Sequence, residues 1–175
     1  MGILKALGAM RKATTDGSRP SKAEMPKCRV ASSTGTITLV GDVSSTVYVY
    51  VPERLRGISR GDKFTLECSK KPMRLTSTVT GTEWDSADAG DIPLLYKGRP
   101  VGFLSGYRVC RAVQKVLDAG LTVKVTAVCK AEGKKRGWPT ICALTPAEDE
   151  IEDLANKRLA ELGMQPLPKS RTRSR

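Results

Sequence analysis

The sequence predicts a mainly β fold: a small barrel of six to eight short strands, with one helix inside the barrel sequence and an amphipathic helix after it. Three observations carry this. TGTITLVGDV and STVYVYVP alternate β-branched or aromatic residues with polar ones at period two, the mark of half-buried strands. Turn signals at Gly41-Asp42, Gly61-Asp62 and Lys97 to Arg99 punctuate such runs. Two later stretches instead repeat their apolar residues at helical spacing.

In chain order, residues 1–27 read as a basic flexible arm. Ile3, Leu4, Leu7 and Met10 are spaced for a short amphipathic helix, which is marginal alone. Gly17, Pro20 and Pro26 punctuate the polar segment that follows. Residues 28–144 supply the barrel. After the first two strands come Lys63 to Cys68, the Lys70-Lys71-Pro72 break, and MRLTSTVTGT, whose Thr and Ser residues suit an edge strand. Asp91 to Tyr96 and Val101 to Leu104 flank the Lys97 to Arg99 turn. Ser105 is positioned to cap a helix over GYRVCRAVQKVLDAG, which gathers Val109, Ala112, Val113, Val116 and Leu117 on one face and ends at Gly120. LTVKVTAVCK and WPTICALT form an antiparallel pair around AEGKKRG. Residues 145–163 make the last helix, with Thr145 as cap, Pro146 in the first turn and Glu148 at the third position. Its stripe is Ile151, Leu154, Ala155, Leu159 and Leu162. Residues 164–175 form a basic tail too polar and proline-punctuated to fold alone.

The 175 residues carry 30 Lys and Arg against 18 Asp and Glu, a formal charge of +12. The arm, barrel and tail are basic, whereas residues 145–163 are acidic. Such a balance raises the potential toward polyanions, nucleic acid or an anionic membrane surface; solubility is the alternative reason for it. The odd number of cysteines, five, and the absence of C-x-x-C spacing argue against a disulfide framework, so a reducing cytoplasm is expected. No run approaches the roughly 20 apolar residues of a membrane span.

Without a single histidine, the chain lacks the commonest general base and metal ligand, and no phosphate-binding glycine fingerprint occurs. Neither catalysis nor a cofactor is expected. Glu83, Asp85, Asp88 and Asp91 offer oxygen donors but not calcium-loop spacing, so a solvated turn is the favoured reading.

Two groups are suited to polynucleotide. Lys130, Lys134, Lys135, Arg136 and Trp138 crowd the tip of the late hairpin, where cations neutralise phosphates and an indole stacks on an unpaired base. Lys70, Lys71 and Arg74 form the second. Tyr107, Arg108, Arg111 and Lys115 put three cations on one helix face, a pattern that is ordinarily just solvated.

The stretch Asp85 to Leu104, DSADAGDIPLLYKGRPVGFL, followed by a helix and the strand LTVKVTAVC, resembles a HIRAN domain over residues 35–144. That family's pattern is an acidic NPYD-type turn, a following Ile, a strand, a glycine turn, a Val/Ile-Gly-Tyr/Phe-Leu element and a helix. Asp88 and Ile92 fall on the turn, and Val101, Gly102, Phe103 and Leu104 on the element before the helix. Asp85 stands where the family prefers Asn, and Ala87 where it prefers an aromatic. The resemblance implies an SH3/OB-like barrel that faces single-stranded DNA or DNA ends, with the acidic turn and the strand before it lining the pocket. Trp84 precedes the turn and is placed to supply the stacking lost at Ala87. It also implies a helicase, nuclease or replication factor as partner. A cluster of carboxylates opposes phosphate unless those groups cap backbone N–H donors.

The expected function is therefore a non-enzymatic nucleic-acid-binding module. The alternative is an assembly module of a phage-like or mobile-element particle, docking through its acidic last helix.

Overall fold

The computed structural model describes residues 35–132 and 139–168. Their strands are β1 (Thr36–Leu39), β2 (Val43–Val49), β3 (Lys63–Cys68), β4 (Arg74–Thr76), β5 (Glu83–Asp85), β6 (Ile92–Tyr96), β7 (Arg99–Ser105), β8 (Thr122–Ala131) and β9 (Thr140–Thr145). The helices are α1 (Ser86–Ala89), α2 (Tyr107–Asp118) and α3 (Glu148–Glu161), with a single 3-10 turn at Pro52–Leu55. The expected mainly β barrel with an internal and a C-terminal helix is what forms.

Six strands close an antiparallel barrel in the order β8-β3-β6-β7-β2-β9, sealed by β8 pairing with β9. Closure removes the exposed edges that an open sheet leaves unpaired. β8 is long enough to serve two strands on one edge: Thr122–Val125 pair in parallel with β1, and the remainder pairs with β9. The chain must therefore cross the end of β9 as it passes from β1 to β2. Gly41 makes that crossing, since a Cβ there would lie 2.3 Å from the Pro146 nitrogen. At the other side of the barrel, a Cβ on Gly102 would lie 1.9 Å from the Tyr48 carbonyl oxygen. The glycine between Val101 and Phe103 thus permits β2 and β7 to pair, next to a bulge at Leu94/Leu95 of β6.

The apolar faces meet in one core. Leu66, Leu94, Val101, Val123, Val125 and Ala143 are fully buried strand residues. α2 adds Cys110, Ala112, Val113, Val116 and Leu117 to the same cluster, packing on β6, β7 and β8, and α3 in turn covers α2 and β1 with Ile151, Ala155 and Leu159. Each such buried aliphatic side chain contributes about 1.5 to 3 kcal/mol relative to exposure. Cys68, Cys110 and Cys129 are buried free thiols, while Cys142 is half-buried.

Three local expectations are corrected. MRLTSTVTGT does not run as one strand: Ser77 Oγ accepts the Val79 and Thr80 N–H groups, and the Gly81 N–H donates to the Ser77 carbonyl, so the chain reverses into a two-stranded β4–β5 ribbon. Local hydroxyl-to-backbone bonds compete with the strand ladder there. Thr145 is not the cap of α3 but the buried last residue of β9, where its hydroxyl pairs with Ser45 Oγ at 3.2 Å. The helix consequently begins at Glu148, with three acidic residues in its first turn favouring the positive end of its dipole. Ser105 stays in β7, and Gly106, with φ +134°, turns the chain into α2 without a side-chain cap.

Candidate nucleic-acid interface

The acidic turn is built by hydrogen bonds between ribbon and helix. Asp85 Oδ1 accepts the Ala87 N–H at 3.0 Å, capping α1, while its Oδ2 lies 3.2 Å from the Arg74 guanidinium. Ser86 Oγ accepts the Met73 N–H at 2.9 Å, and Gly90, left-handed at φ +69°, ends the turn. Trp84 Nε1–H donates to Asp91 Oδ2 at 3.1 Å. Asp and Asn both cap helices well, so Asp85 keeps the capping capacity of the residue the HIRAN pattern prefers.

Between α1 and the outward face of α2 lies an open cleft of about 1020 Å³. Its base includes the buried Pro93, Ser86 and Cys110. One side carries Asp88 and Asp91, the other Tyr107, Arg111 and Lys115, with Lys70 at the margin. Two of these charges, Lys70 and Lys115, are ion-paired within the protein. Lys70 Nζ is 3.5 Å from Asp118, Lys115 is bound to Glu152 of α3, and Asp91 accepts the Trp84 indole. Arg111 has no ion pair among the described residues, and Tyr107 leaves 78 % of its surface exposed at the head of α2. The cleft thus presents the Arg111 guanidinium and the Tyr107 ring, on residues four apart on the same helix side, opposite the exposed Asp88 carboxylate, which has no ion pair among the described residues.

The structure unites some of the expected residues. Lys70 and Asp88 line the cleft, and Trp84, 38 % exposed, and Arg74 support its acidic side through Asp91 and Asp85. Lys71 is exposed on the turn after β3, where its backbone bonds Ser69. Lys130 lies elsewhere, at the end of β8 beside the Ser59–Asp62 turn. Lys134, Lys135, Arg136 and Trp138 fall outside the described residues. Among those described, no three carboxylates or thiols gather as metal ligands, and no helix is long and apolar enough to cross a membrane.

Sequence reasoning assigned no role to Tyr50. Its ring packs edge-on against Phe103 at 5.4 Å, and its hydroxyl is held above the ordinary tyrosine value, first by burial and then by the nearby Asp91 carboxylate. The signal was available in the strand pattern, where Tyr48 and Tyr50 share one face. Arg108, expected beside Arg111 and Lys115, instead lines a second groove with Val109 and the start of α3, which Arg111 also borders. Compared with known proteins, the chain matches no family model, no curated protein and no solved structure.

Proposed function

We propose that this chain is a nucleic-acid-binding module without catalytic activity, taking single-stranded DNA or a DNA end into the α1–α2 cleft. The observation that carries the reading is the Tyr107–Arg111 pair. An exposed ring and a guanidinium without an ion pair among the described residues face one opening, across from Asp91, which accepts the Trp84 indole N–H, and the exposed Asp88. Stacking plus phosphate neutralisation is how single strands are held without strong sequence preference. The formal charge of +12 and the HIRAN-like order of turn, strand, Val-Gly-Phe-Leu element and helix support the same reading. A helicase, nuclease or replication factor would then supply the chemistry. Fluorescence anisotropy with a labelled single-stranded oligonucleotide tests it. Tyr107→Ala is expected to weaken binding by about 1 to 3 kcal/mol; a variant that binds like the parent overturns the assignment of the cleft.

A second reading has one specific observation behind it. Leu154 of α3 is 43 % exposed on an otherwise acidic helix. As an assembly module, the chain would bury Leu154 against a neighbouring subunit, and light scattering would then give an oligomer that Leu154→Lys dissociates.

A further inference from the structure

At the opposite end of β6 from Asp91, the β6–β7 hairpin and the 3-10 turn border a further groove of about 560 Å³, lined by Val51, Glu53, Arg54, Tyr96, Lys97 and Arg99. Its charges are arranged unlike those of the cleft. Three cations face one carboxylate, and both oxygens of that carboxylate, on Glu53, accept the Thr78 hydroxyl at 2.7 and 2.9 Å. Arg54 is held across the groove by donation to the Pro100 carbonyl. The Lys97 ammonium lies 5.0 Å from the centre of the Tyr96 ring, and neither Lys97 nor Arg99 has an ion pair among the described residues.

The turn itself is unusual. Lys97 and Gly98 both have positive φ, +50° and +75°, as a two-residue hairpin of type I′ requires. Gly is at ease there, and Asn or Asp is the usual choice for the first position. Lysine is the only non-glycine with positive φ among the described residues. A residue in this conformation whose cation has no ion pair among the described residues invites a functional reading.

We propose that this groove is a second binding site, one that takes the phosphodiester backbone of a polynucleotide through Arg54, Lys97 and Arg99. The inference rests on the reading of the chain as a nucleic-acid binder, but not on the cleft being the other contact. From the cleft residue Asp91, just before β6, to the groove residue Tyr96 at its end is about 16 Å at strand rise. Even at the compact duplex rise of about 3.4 Å per phosphate that is no more than roughly five phosphates, and an extended single strand covers it with about three. A strand long enough to reach both sites gains the three cations; a shorter one does not. An anionic membrane fits less well, because none of the large exposed apolar residues lies in this groove to insert among lipids.

The test is a salt titration of the full chain with single-stranded oligonucleotides of about 3 and about 15 nucleotides, the longer within the usual range of site sizes. The variant is Lys97→Asn with Arg99→Gln, in which Asn-Gly is a preferred turn, so a thermal melt should match or exceed the parent's. The expected result is a fall of about 1.4 in the slope of log affinity against log salt for the long strand, two contacts at about 0.7 each, with the short strand unaffected. An unchanged slope for the long strand overturns the proposal. Loss with the long strand but no binding of the short one by the parent keeps this groove and removes the cleft. Phosphatidylserine vesicles that bind the parent and not the variant, with oligonucleotide binding unaltered, assign the groove to membranes and overturn it.

Discussion

The Trp84 indole N–H and the Asp91 carboxylate are joined at 3.1 Å, which fastens the β4–β5 ribbon to the residue that precedes β6. A carboxylate lining the cleft is thereby committed to the scaffold. Asp91→Asn should keep an acceptor for the indole while removing a charge that repels phosphate. Stability should stay within about 0.5 kcal/mol of the parent in urea unfolding, and oligonucleotide affinity should rise at low salt.

Asp85 does two jobs, capping the Ala87 N–H and pairing with Arg74. Arg74 is well exposed, so the ion pair contributes little, roughly 0 to 1 kcal/mol. Asp85→Asn retains the cap and should cost only a few tenths of a kcal/mol. Asp85→Ala leaves the Ala87 donor without its acceptor and should cost about 1 kcal/mol. Chemical denaturation of the two variants side by side separates cap from charge.

Gly102→Ala would press a methyl into the Tyr48 carbonyl. No flexible side chain can move aside, so β2 and β7 must separate. The expected loss is about 3 kcal/mol or more, read as a lower melting temperature or failure to accumulate folded protein.

Burial is the main cause that lifts the Cys110 thiol from 9.0 to about 11, and it raises Cys68 too. The folded core keeps its proton where the unfolded chain has lost it. This stabilisation is complete below about pH 9 and is lost as the pH rises through about 11. Urea midpoints measured across that window should fall less steeply for Cys110→Ala than for the parent.

The barrel was legible because strands paired on both edges must alternate faces, and STVYVYVP or LTVKVTAVC can do little else. α2 was legible in the spacing of Val109, Val113, Val116 and Leu117. What failed were ends decided by distant contacts: Thr145 looks like a helix cap until Ser45 claims its hydroxyl, and Ser77 looks like strand until it bonds its own turn. The lining of the candidate cleft was half legible. Lys70 and Asp88 were found from charge and pattern, but pairing decides which cations stay available. Lys115 is bound to Glu152, 37 residues on, whereas Arg111 is not paired with any described residue, and local sequence cannot tell them apart. Arg54 and Lys97 share a groove only because the 3-10 turn folds over the β6–β7 hairpin.

Photocrosslinking a single-stranded oligonucleotide to the full chain, with the attached peptides then mapped, tests the central claim most directly. The cleft predicts adducts at Tyr107, with further contacts on the segment holding Trp84, and their loss when unlabelled strand competes. Adducts confined to residues outside 70–93 and 105–118, or none at low salt, would contradict it.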